Sequence, residues 1–106
     1  MPRPQLHPAI DWLVDQLSNL PQVDRIILFG SRARGDARDR SDIDIAVEAP
    51  SADIRAWDRI AETVDQAPTL LRLDLVRLDT AAPELLDEIS EEGIVVYERP
   101  RVAARH

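Results

Sequence analysis

Two short runs in this chain carry residue types that could do phosphate chemistry. Gly30-Ser31 is the first and Asp42-Ile43-Asp44 the second, with ten residues between Ser31 and Asp42. The apolar run over 25–29, just ahead of Gly30, reads as a buried strand, so the Gly-Ser turn sits at a strand's end. Backbone N–H groups at such a turn can point at a phosphate, above all where a short helix begins. Glycine permits close approach, and the Ser31 hydroxyl can donate to an anionic oxygen. Arg32 and Arg34 follow directly, two cations placed either to contact phosphate or to solvate the turn.

Asp42 and Asp44 supply the second half of the chemistry. Side chains alternate along a strand, so both carboxylates leave one face, roughly 7 Å apart at their Cα atoms. Ile43, Ile45 and Val47 then take the opposite, buried face. Two hard anionic ligands at that spacing suit magnesium, which fills its remaining positions with water and phosphate oxygens. An Asp-x-Asp alone is ordinary at a turn and strand start. Joined to Gly30-Ser31, it reads as a metal site facing a phosphate cradle.

The pattern G-S-x10-D-x-D, in its fuller form GSRARGDARDRSDIDIAV, resembles the signature of the nucleotidyltransferase superfamily related to DNA polymerase beta. It is most similar to the small prokaryotic branch, the minimal nucleotidyltransferases, and the resemblance covers roughly 23–98. That family uses a third carboxylate on a neighbouring strand. Over 71–76 Leu71, Leu73 and Leu75 alternate with Asp74, so Asp74 matches the third acid by pattern. Asp79 is a weaker match, because 77–80 reads as a strand exit and helix start, and Asp24 lies on the wrong side of the turn. The resemblance implies a catalytic site of Asp42, Asp44 and Asp74 holding two magnesium ions. Gly30, Ser31, Arg32 and Arg34 would line the nucleotide, with ATP as substrate. It also implies a partner, since these stand-alone domains are commonly the antitoxins of HEPN-domain toxins. Some members adenylylate a hydroxyl side chain of the toxin.

The elements that must position these residues are legible as patterns. A helix is expected over 7–20, with Pro8 in its first turn and Ile10, Leu13, Val14 and Leu17 on one face. Trp12 lies off that stripe, as an indole along the core edge or as an exposed partner contact. Pro50-Ser51 opens a second helix, with Ser51 expected as N-cap and Asp53 in the first turn. Its stripe is Ile54, Trp57, Ile60, Ala61 and Val64, which makes Trp57 a core residue. Pro68 ends that region ahead of the Asp74 strand. A short acidic helix follows over Pro83–Glu92, stopped by Gly93, then a last strand over 94–97. The expected fold is α/β: a mixed sheet of about four strands with helices packed on it, of the polymerase-beta catalytic type. The domain is expected over 1–98, with 99–106 a frayed tail.

Composition sets bounds on function. At 106 residues the chain is one domain with a single core. There is no cysteine, hence no disulfide or thiolate metal site. No apolar run approaches a bilayer span and no signal-like stretch follows Met1-Pro2-Arg3-Pro4, so a cytoplasmic protein off the membrane is expected. The net charge of −7 argues against broad nucleic-acid affinity. That charge is uneven: 32–40 holds four arginines and two aspartates, whereas 84–92 holds five acids and no base. A small basic site on an acidic body suits a nucleoside triphosphate better than a polynucleotide.

Larger members of the resembled superfamily add a helical domain that binds the acceptor; none is read after Tyr97, so the acceptor is expected to be brought by another chain or to be a surface group on it. This favours a protein-modifying antitoxin over a small-molecule nucleotidyltransferase. The rival of another class is a silent binding module that neutralises its partner by docking. A calcium loop built on Asp36, Asp39, Asp42 and Asp44 ranks last, because the run fails EF-hand spacing.

Overall fold

In the computed structural model, which describes residues 6–100, four strands form one sheet in the order β3-β2-β1-β4. The elements run α1 Pro8–Leu17, β1 Arg25–Phe29, α2 Ser31–Arg34, β2 Ile43–Glu48 and α3 Ile54–Asp65. After these come β3 Leu73–Arg77, a 3-10 turn Leu78–Thr80, α4 Pro83–Glu92 and β4 Ile94–Glu98. β1 pairs antiparallel with β2 and β4, while β2 and β3 run parallel, so the sheet is mixed as expected. The crossover from β2 to β3 is α3, the helix a parallel pair requires.

Both faces of the central strands are covered, which is why 26–29 is apolar without alternation. Ile26 and Leu28 of β1 join Ile43, Ile45 and Val47 of β2 in one core, packed with Ile10, Leu13 and Leu17 of α1 and with Ile60 and Val64 of α3. On the other face Ile27, Phe29 and Ala46 meet Leu78 and Ile89 beneath α4. Full burial of each such aliphatic side chain contributes about 1.5–3 kcal/mol. Asp44 shares the α4 face with Ala46, so the carboxylates lie where α4 leaves the sheet end uncovered.

Several local expectations are corrected. α1 stops at Leu17 rather than 20, because Ser18 Oγ and Asn19 Nδ2 turn back to the Asp15 carbonyl, each at 3.1 Å. At its other end His7 Nδ1 accepts from the Ala9 N–H at 3.1 Å. Trp12 lies half-buried against the core, the edge position of the two readings. Asp53, not Ser51, caps α3, its carboxylate accepting from the Ala56 N–H at 2.8 Å. Ile54 is 83% exposed because it lies well round the helix from Ile60, and the buried stripe is Ala56, Ile60 and Val64. Trp57 packs half-buried against the core, with the Arg77 guanidinium 4.9 Å above its ring.

β3 begins at Leu73, two residues later than expected, and ends in a polar knot. Arg77 Nη2 donates to the Ala49 and Ala52 carbonyls at 3.0 and 2.8 Å, and its Nε to Asp79 at 2.9 Å. Asp79 also accepts from the Ala49 N–H at 3.1 Å, which fixes the β2–α3 connection. The tail expected over 99–106 does not begin at 99. Arg99 donates its N–H to the Asp24 carbonyl at 2.8 Å, and its Nη2 to those of Leu20 and Val23 at 2.8 and 2.7 Å. Residues 101–106 lie outside the described residues. Among the described residues no helix is long and apolar enough to cross a membrane.

Candidate active site

The Gly-Ser turn forms where β1 gives way to α2. Gly30 has φ +73° and ψ −156°, a backbone region open in practice to glycine alone. Its carbonyl accepts the Ala33 and Arg34 N–H groups, each at 3.1 Å, which closes the first turn of α2. A Cβ at position 30 would run into the Asp44 carboxylate. Glycine is therefore required twice, by the backbone and by the acid it lies against. The two halves of the motif are in contact.

Strand register explains the contact. Phe29 stands opposite Asp44 across the β1–β2 pair, and Asp44 stands opposite Asp74 across β2–β3. Turn, second acid and third acid thus line up over three adjacent strands at one end of the sheet. Asp42 precedes β2 by one residue. The Asp44 carboxyl is pushed above its ordinary value, chiefly by burial, then by a hydrogen bond with Asp74 and the negative charges of Asp74, Asp42 and Glu88. Asp74 also pairs with Arg72 at 3.0 Å, an exposed guanidinium at the rim.

Among the described residues no three carboxylate, imidazole or thiolate groups already converge on one ion's position. The donor set fits a hard divalent cation by its chemistry: carboxylates on adjacent strands, crowded enough to raise Asp44 above its ordinary value. A cation there would neutralise the charge that raises Asp44.

The two arginines of the turn are both engaged. Arg32 reaches over the loop 36–42, its Nη2 donating to the carbonyls of Ser41, Asp39 and Arg38 at 2.8, 3.2 and 3.4 Å. Its Nε also donates to the Ser41 carbonyl at 3.2 Å. Arg34 pairs with Asp36 at 3.2 Å and with Glu92 of α4 at 3.1 Å.

Asp79 and Asp24, the weaker candidates, serve the fold. Asp79 lies below its usual value: the Ala49 N–H and the Arg77 guanidinium that hold its carboxylate outweigh its burial. Asp24 sits 3.8 Å from the Arg99 guanidinium at the opposite end of the sheet. Glu88 is the acid that sequence reasoning missed. Leu85 and Ile89 turn α4 onto the sheet, and Glu88 flanks that stripe on the side of Asp44. Its signal was the helical spacing, readable only once the face covered by α4 is known.

Comparisons with known proteins establish the family. The family model described as polymerase beta nucleotidyltransferase matches residues 12–102. The probable protein adenylyltransferase MntA of Haemophilus influenzae is 30% identical over 79 residues, 73% of this chain and 68% of the relative. A chain from a crystal structure of a toxin–antitoxin with AMP-PNP superposes with a TM-score of 0.65 at 32% identity, covering 86% of this chain and 72% of that one. In a complex of a tri-AMPylated Shewanella oneidensis HEPN toxin with its MNT antitoxin, the values are 0.53 and 29%, covering 85% and 67%. With the family matched over most of its length, the chain belongs to the polymerase beta nucleotidyltransferases and sits with their minimal, MNT-type members.

Proposed function

We propose that this nucleotidyltransferase is an antitoxin that transfers AMP from ATP to a hydroxyl side chain of a HEPN-type toxin and so neutralises it. The observation that carries the reading is the contact of Gly30 with Asp44 and the register of Asp44 with Asp74, which builds turn and acids into one site. The related MntA is named a protein adenylyltransferase, and the structural relatives include a toxin–antitoxin with AMP-PNP and an AMPylated HEPN toxin with its antitoxin.

In this reading the N–H groups around Gly30 and the Ser31 hydroxyl bind the β- and γ-phosphates. Arg34 flanks the turn, able to exchange Asp36 for a phosphate oxygen while Glu92 keeps it in place. Asp42, Asp44 and Asp74 would hold magnesium, which neutralises the charge developing on the phosphate oxygens. The toxin hydroxyl oxygen attacks the α-phosphorus and forms the new P–O bond. The bond from that phosphorus to the bridging oxygen breaks, pyrophosphate leaves with the electron pair, and the hydroxyl proton passes to a site carboxylate, Asp74 being the best placed. Holding attacker and phosphorus in line supplies much of the rate, and the docked partner provides that hold.

The test is mass spectrometry of the HEPN partner after incubation with this protein, magnesium and each of the four ribonucleoside triphosphates in turn. Addition of an adenylate on a hydroxyl side chain, with ATP alone, is the expected result. Complex formation without added mass under any triphosphate would replace the transferase by the docking module. Transfer to a small molecule and not to the partner would favour the small-molecule enzyme.

A further inference from the structure

Arg32 is the residue of the turn whose surroundings least resemble a phosphate ligand's. Its guanidinium makes four hydrogen bonds to three carbonyls, those of Arg38, Asp39 and Ser41, at 2.8 to 3.4 Å. The loop it grips has no regular secondary structure over 36–38 and ends at Asp42. Within the loop, the Ser41 N–H donates to the Arg38 carbonyl at 3.0 Å, and Ser41 Oγ accepts the Arg38 N–H at 2.8 Å. These bonds make 38–41 a small closed ring, and the guanidinium fastens that ring to α2. On the other side of Asp42, the Ile43 N–H donates to the Arg72 carbonyl at 2.9 Å and begins the sheet. Asp42 therefore stands between two fixed points, one supplied by strand pairing and one by Arg32.

We infer that Arg32 is a positioning residue that sets the Asp42 carboxylate through the 38–41 ring, and not a ligand of the nucleotide's phosphates. The proposal rests on the metal-site reading of Asp42 and Asp44. A planar fork of five donors is what reaching three carbonyls demands, and an ammonium on a flexible stem cannot bridge them. Because Arg32 follows Ser31 directly, the same bonds also fix the distance between phosphate turn and acid pair.

Arginine and lysine separate the two roles. Lysine is an adequate phosphate ligand but a poor clamp. The experiment uses wild-type protein, Arg32→Lys and Arg32→Met, each checked for a native circular dichroism spectrum. Two affinities are measured: Mn2+ by electron paramagnetic resonance without nucleotide, and ATP by titration without divalent metal. The expected result is a loss of about 10- to 100-fold in Mn2+ affinity in both variants, the range seen when groups that orient a ligand are removed. ATP affinity should stay within about twofold of wild type. Loss of ATP affinity in Arg32→Met with recovery in Arg32→Lys, and Mn2+ binding unchanged, would overturn the clamp in favour of a phosphate contact. Wild-type protein that binds no Mn2+ would instead overturn the metal-site reading, and the clamp's purpose with it.

Discussion

The two ends of the sheet treat their charges in opposite ways. At the far end three acids have a guanidinium: Glu48 pairs with Arg25 at 2.9 Å, Asp79 with Arg77 at 2.9 Å, and Asp24 with Arg99 at 3.8 Å. At the near end Asp42, Asp44, Asp74 and Glu88 crowd together, and among the described residues their one ion pair is that of Asp74 with the exposed Arg72. β2 carries the contrast along one face of a single strand, from Asp44 to Glu48. Paired charge stabilises the fold, whereas crowded like charge destabilises the metal-free protein, a cost the proposed cation would offset.

The largest expected effect comes from removing the crowd. Asp42→Asn with Asp44→Asn should lower nucleotidyl transfer by on the order of a thousandfold or more, as loss of groups that act only on the reacting phosphate does. The same protein should melt at a higher temperature than wild type without metal, because repulsion is relieved. Thermal denaturation with and without magnesium checks both halves. A double variant that is less stable without metal would break the comparison.

At the opposite end Arg77→Met should destabilise by about 2–4 kcal/mol, since it strands the Ala49 and Ala52 carbonyls and the Asp79 carboxylate. Activity per folded molecule should be unchanged, measured well below the new melting temperature. Gly30→Ala lies on the seam between fold and chemistry. It should destabilise by about 1–3 kcal/mol for its backbone strain and weaken ATP binding by displacing Asp44. Titration of the folded variant with ATP tests the second effect separately.

Acid and base dependence should differ in sign between the two ends. The folded Asp44 binds its proton more tightly than the unfolded chain does, so metal-free stability falls as pH rises from the ordinary value of 3.8 through the raised one. Asp79 is lowered, so its contribution is present above 3.8 and fades as pH falls through its folded value. Melting temperatures across pH 3 to 7 (roughly the carboxylate range) should lose a falling component in Asp44→Asn and a rising one in Asp79→Asn. The smallest effect belongs to Arg25→Ala, a half-exposed pair with Glu48 that contributes about 0.2–1 kcal/mol. Denaturant midpoints suffice to check it.

Much of this was legible in the sequence where one signal dominated. The continuous run before Gly30, the alternation around Asp42 and Asp44, and Pro83 with Gly93 each name an element by local sterics. The errors fell where two local signals competed. Ser51 and Asp53 are both good caps, and only the carboxylate of Asp53 lies where the Ala56 N–H needs it. Ile54 was placed in the stripe although it lies about a third of a turn round the helix from Ile60, and it is exposed. Side-chain bonds to Asp15 ended α1 early, a competition that periodicity does not register. In the site, the order of the acids along the chain could be read, but not that Gly30 touches Asp44, which depends on strand register. Nor could the grip of Arg32 on the loop be read, since it is long-range in space though near in sequence.

The measurement that bears most directly on the near end as a chemical site is a paired one on Asp74→Asn. Pull-down reports binding of the HEPN partner, and mass spectrometry reports its modification by ATP and magnesium. A carboxylate at a metal site adds little to a protein interface, so the complex should persist. Modification should fall by orders of magnitude, because Asp74 stands in register with Asp44, which the proposed function puts at the reacting phosphate. Undiminished modification by Asp74→Asn, or wild-type protein that binds the partner and never modifies it, would contradict the account.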